Sequence, residues 1–157
     1  MATDENYVKV LFRFYSNVLE EHTVETMWAE IIDESEGIYE LNSIPFYAPN
    51  LASGDIISAA YDEDEEMLTY KETLSFSGNS TVQVVIFDKT RETNDVRDIF
   101  YDLGCITEKF REGYFVIDVP AELDYAPIKL KLLELSEAGT IDYAEPCLSA
   151  EHGAFTN

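Results

Sequence analysis

Short β-rich runs fill the first half of this chain, and the first of them alternates apolar and polar residues in the rhythm of a half-buried strand. Tyr7-Val-Lys-Val-Leu-Phe-Arg-Phe14 sets Lys9 and Arg13 on one side, and Val24 to Ile32 forms a second β-rich run around Trp28. Ile38 to Leu41, Asp55 to Tyr61 and Met67 to Phe76 follow, with turns predicted at Glu34-Ser-Glu-Gly37 and Asp62-Glu-Asp-Glu-Glu66. Five short strands with no helix between them predict a small, strongly bent sheet or barrel, because closure is how such strands avoid bare edges. The stretch Ser43-Ile-Pro-Phe-Tyr-Ala-Pro-Asn-Leu-Ala-Ser-Gly-Asp55 carries two prolines and cannot be regular ladder. It reads as a structural crossover that packs Phe46 and Tyr47 on the barrel and turns at Gly54; a ligand-binding loop is the other reading.

The rhythm then changes. Ser80 to Phe87 is a strand, and Thr93 to Leu103 places Val96, Ile99, Phe100 and Leu103 on one helical face, with Thr93 or Asn94 as cap and Gly104 as stop. Cys105 to Lys109 meets Tyr114 to Val119 across a turn at Gly113, a second helix starts near Asp124 with Pro127 in its first turn, and Thr140 to Ala144 follows Gly139 as the last strand. This β-α-β-β-α-β order is that of the ferredoxin-like split unit, a shape shared by many functions. The expected class is α+β: a small all-β, barrel-like subdomain over 1–77, a ferredoxin-like subdomain over 78–149 and a tail over 150–157. Glu145 onward is polar and without periodicity, so it is expected to be loosely held.

Composition changes the picture through charge. The chain has 157 residues, with 32 Asp and Glu against 10 Lys and Arg, a net charge of -22, yet it is 46% hydrophobic. A chain of this length buries roughly 70% of its unfolded surface, so the acid sits on a folded body. Residues 1 to 70 hold 16 acidic and 2 basic residues, and residues 71 to 157 hold 16 and 8. Such a surface repels nucleic acid and anionic membrane and steers basic partners. The two cysteines, Cys105 and Cys147, lack metal-site spacing. Residues 1 to 20 show no basic start followed by an apolar core, and no run approaches the roughly 20 apolar residues of a membrane span. A cytoplasmic location is expected.

Several segments together resemble a family of small bacterial proteins catalogued as a domain of unknown function. They are Phe12-Arg-Phe-Tyr15, Trp28-Ala-Glu30, Ile44-Pro-Phe-Tyr-Ala-Pro49, Gly54-Asp55, Leu103-Gly-Cys105, Asp118-Val-Pro120, Asp124-Tyr-Ala-Pro127 and Tyr143-Ala-Glu-Pro-Cys-Leu148. The likeness spans roughly 7–149, with Pro-Phe-Tyr-Ala-Pro and Asp-Tyr-Ala-Pro as its specific parts. It implies a bacterial origin and a recurring two-part architecture, and it carries over no catalytic residue or cofactor.

No phosphate-binding glycine loop, nucleophile elbow or zinc-hydrolase motif is present. His22 and His152 read as solvated, and Cys105 as a small buried hydrophobe. Asp62 to Glu66 begins like a calcium loop but has Met67 and Thr73 where that loop needs Gly and Glu. No enzyme activity, metal or cofactor is therefore expected. The expected partner is a basic protein, with no nucleic acid and no membrane. Two acidic turns, Asp33, Glu34 and Glu36 and then Asp62, Glu63, Asp64, Glu65 and Glu66, are expected to capture it. Tyr39, Tyr61 and Tyr101 stand beside acids, and at least one is expected to be an exposed aromatic anchor. This combination suits an immunity protein that masks a toxin domain, a basic nuclease above all. The alternative is a regulatory or scaffold module that binds a ligand or protein through its ferredoxin-like half.

Overall fold

The computed structural model describes residues 6–17 and 19–153. It is an α+β structure with two predominantly antiparallel sheets, of five and four strands. The chain divides into two compact units at Ser77 and Gly78.

The first unit contains β1 (Tyr7–Ser16), β2 (Glu21–Asp33), β3 (Ile38–Leu41), β4 (Ile56–Asp62) and β5 (Met67–Ser75), each antiparallel to the next. β5 also makes one parallel bridge to β1, at Leu11 and Thr69. Alternation decides which side chains enter the core. Val10 and Phe12 of β1 point inward beside Met27 and Ala29 of β2, while Lys9, Arg13 and Trp28 point out. Phe12 stacks on Tyr70 at a centroid distance of 4.9 Å.

The Pro-rich crossover between β3 and β4 is structural, but Phe46 and Tyr47 are only half-buried. Ala48 and Leu51 enter the core instead. The reason is a backbone turn folded around one side chain: the Glu25 carboxylate of β2 accepts from the N–H groups of Phe46, Tyr47 and Ala48 at 2.7, 3.1 and 2.9 Å. Prolines on either side remove competing donors and stiffen this arc. At its far end Asp55 is buried and accepts from Ala52 N–H at 3.0 Å and Ser77 N–H at 2.8 Å. Burial raises the Asp55 pKa, against the lowering effect of those N–H groups and the Ser77 hydroxyl.

The second unit runs β6 (Ser80–Ile86), α1 (Thr93–Asp102), β7 (Ile106–Arg111), β8 (Tyr114–Val119), α2 (Ala126–Glu137), β9 (Ile141–Cys147) and α3 (Ala150–Gly153). Its sheet order is β7-β8-β6-β9, with every neighbouring pair antiparallel. Every residue of β8 is buried, so Phe115, Ile117 and Val119 can join Val82, Val84, Phe100, Ile128 and Leu132 in one core.

Thr93 does not cap α1; Glu92 occupies that position. The Thr93 hydroxyl donates to Glu112 and accepts from Gly113 N–H, both at 2.8 Å, tying the helix start to the β7–β8 turn. Gly104, at φ +102°, follows the end of α1 as expected.

The expected loose tail is corrected. β9 extends to Cys147, and α3 packs into the unit with His152 1% exposed. Leu123 C=O, 3.0 Å from His152 Nε2, can only accept, so Nε2 carries the proton. Nδ1 then accepts from Ser80 Oγ at 2.6 Å, and Ser80 Oγ accepts from Ser149 N–H at 2.8 Å. His152 is thus a buried clamp, contrary to its expected solvation. Residues 154–157 lie outside the described residues.

Candidate protein-binding surface

The two acidic turns are built by their first carboxylates. Asp33 Oδ1 accepts from Ser35 Oγ at 2.7 Å and Glu36 N–H at 3.3 Å, capping a single 3-10 turn, Glu34–Glu36. Gly37 closes it at φ +70°, where a Cβ would lie 2.7 Å from the Ala59 carbonyl oxygen; only glycine fits. Asp62 Oδ1 accepts from Asp64 and Glu65 N–H at 2.8 and 3.2 Å, and Glu66 follows at φ +58°. Asp33 and Asp62 therefore hold backbone, leaving Glu34, Glu36, Glu63, Asp64 and Glu66 as exposed carboxylates. Glu65 is half-buried and paired with Arg13 at 2.7 Å.

β2 and β4 both run antiparallel to β3, so they point the same way. Their C-terminal turns consequently lie toward one end of the sheet, although they are some thirty positions apart in the chain. Tyr61 stands beside the second turn and, 62% exposed, meets the exposure an anchor needs.

Tyr39 does not. It is 3% exposed in the first core, where burial and then the Glu34 charge raise its pKa. The β2–β3 register turns Tyr39 inward opposite Ile31, beside the inward-facing Ala29 and Leu41 pair. Tyr101 is 68% exposed but lies on α1, in the second unit, whereas the acidic turns belong to the first.

Other polar groups are committed to structure. Cys105 is buried, its thiol pushed up to about 12 by burial and then by Asp118, so it is no nucleophile at neutral pH. The two cysteines are not joined in a disulfide. In the second unit Tyr125 donates to Glu145, whose two carboxylate oxygens each lie 3.0 Å from Lys129 Nζ. That ammonium sits 4.9 Å from the Tyr143 ring centroid. Among the described residues no group of three or more His, Cys, Asp or Glu is placed to hold a metal ion. Among them, too, no helix is long and apolar enough to cross a membrane.

One exposed set escaped the sequence reading. Val24, Trp28 and Ile32 of β2 are 50%, 50% and 52% exposed along the outer face. The run from Val24 to Ile32 is apolar at both parities, so only the strand register reveals which side faces water.

Fold and surface together define an acidic α+β protein of two compact units. The chain belongs to the family described as Domain of unknown function (DUF4265), whose profile matches residues 25–143, in agreement with the family resemblance of its motifs. It is also similar to a solved structure titled "Novel crystal structure of a hypothetical protein from Neisseria gonorrhoeae". The identity is 25% over 90% of this chain and 94% of that one, with a TM-score of 0.77. No curated protein matches it.

Proposed function

We propose that this protein is an immunity protein that neutralises a basic bacterial toxin domain, a nuclease above all, by stoichiometric masking in the cytoplasm. One observation carries the reading: exposed carboxylates of two separate turns share one end of the first sheet with the exposed ring of Tyr61. A nuclease must present positive charge to phosphate, and this rim offers a competing array of anions. The carboxylates steer encounter, while an aromatic contact supplies affinity that carboxylates, costly to desolvate, do not. We read the first sheet, with its β5–β1 bridge, as a small barrel that holds the two turns rigidly. The β-α-β-β-α-β unit is read as ferredoxin-like, and its buried sheet and paired cations suit a supporting role.

The test is titration against the toxin-like product encoded beside the gene, followed by its nuclease activity. The expected result is complete, reversible inhibition at a one-to-one ratio. Inactivation at substoichiometric amounts, or activity that persists at excess, would sink the proposal.

A further inference from the structure

The first unit exposes an apolar face that also holds two of the three cations in residues 1–77. In an antiparallel pair, directly opposed residues share a face. The β1–β2 register opposes Lys9 to Trp28, Arg13 to Val24 and Tyr15 to His22. Trp28 and Val24 are half exposed, as are Tyr15 and, at the same parity on β2, Ile32. Lys9 Nζ stands 5.2 Å from the Trp28 ring centroid. The half-buried Glu30 and Glu40 oppose each other at the edge of this face.

A chain of net charge -22 repels its own copy wherever acid meets acid. On this face acid is offset by Lys9, Arg13 being paired with Glu65, and exposed aromatic and branched side chains would gain from leaving water. We propose that two copies of this chain associate through the outer face of β1 and β2, with Trp28 at the centre. The contact is isologous: each copy offers Lys9 to the Glu30 and Glu40 of the other, so the charge pattern is complementary to itself. A basic partner would meet Lys9 here; Arg13, paired with Glu65, borders this face on the second acidic turn, and the inference does not depend on the toxin reading.

Salt separates the two. Self-association of a strongly acidic chain strengthens as salt screens the net repulsion, whereas capture of a basic partner weakens. Sedimentation velocity of the full chain from about 10 μM to about 1 mM, in about 50 mM and about 500 mM salt, reads this directly. The expected result is a dimer whose fraction rises with both concentration and salt. Trp28, the single tryptophan, reports the same transition by a blue shift of its emission. Trp28→Glu and Ile32→Lys, each with an unchanged circular dichroism spectrum, should weaken the dimer at least about tenfold. A chain that sediments as a monomer throughout overturns the proposal and leaves the face to another protein or to solvent. It is overturned equally by a dimer that survives either substitution, or by one that forms without a shift in Trp28 emission.

Discussion

The two units spend their charge differently. Residues 1–77 hold 17 acidic against 3 basic residues, and residues 78–157 hold 15 against 7. In the second unit three lysines close ion pairs, Lys109 with Glu112, Lys129 with Glu145 and Lys131 with Glu134, and Arg97 donates to Asn94 and Thr107. In the first, Arg13 pairs with Glu65, and the other exposed acids of both turns have no cation close by among the described residues. Surface pairs contribute little stability, about 0–1 kcal/mol each, so the contrast matters chiefly for the field each unit projects. A charge excess left unbalanced on one unit costs that unit self-repulsion. The second unit instead concentrates buried groups, with β8 covered on both faces and His152 locked inside.

The sharpest way to break this division is through the cores and faces. Phe115→Ala should cost about 3–5 kcal/mol in urea unfolding, whereas Trp28→Ala, on an exposed face, should cost no more than about 1 kcal/mol. Equal losses would dissolve the contrast. His152→Ala should follow at about 2–3 kcal/mol, because Ser80 Oγ and the Leu123 carbonyl lose a buried partner. A cost below about 0.5 kcal/mol would return the C-terminal segment to the status of a tail.

Within the first unit, Glu25→Ala frees three N–H groups of the crossover and should cost about 1–3 kcal/mol. Hydrogen exchange at Phe46, Tyr47 and Ala48 should accelerate in that variant while the β8 amides stay protected. Reversing Glu63, Asp64 and Glu66 to Lys should slow association with the proposed toxin partner about tenfold at low salt, with little change in dissociation. The same treatment of Glu134 and Glu137 in the second unit should leave both rates alone.

The smallest effect is a pH dependence. Asp55 has a folded-state pKa above its unfolded value, first through burial. As pH falls through that raised value the folded state takes up its proton first, so the penalty for a buried carboxylate, present at neutral pH, is relieved, and fully so below the unfolded value. This group alone therefore makes the first unit more stable on mild acidification. Asp55→Asn should flatten that rise, as read from unfolding midpoints across the acid range.

Much of this molecule was legible without coordinates. Alternation in the first strand and β-rich runs after it located all five strands of the first unit, glycines and acidic clusters marked both turns, and the strand-helix order of the second unit is the one observed. These signals are local: each depends on residues within about ten positions of one another. The resemblance to a family of unknown function was legible too.

What tertiary structure alone decided was which side of each element meets water. Tyr39 and Tyr61 both stand beside acids, yet strand register buries one in the core and leaves the other exposed at the acidic end. Trp28 lies in a run apolar on both faces, where a one-residue shift of pairing would have buried it. His152 sits in a polar segment with no periodicity, and its burial depends on Ser80 and Leu123, 72 and 29 positions away. A short sequence window encodes backbone conformation, because propensity and turn chemistry act between neighbours. Burial is set by partners that only the folded chain brings together.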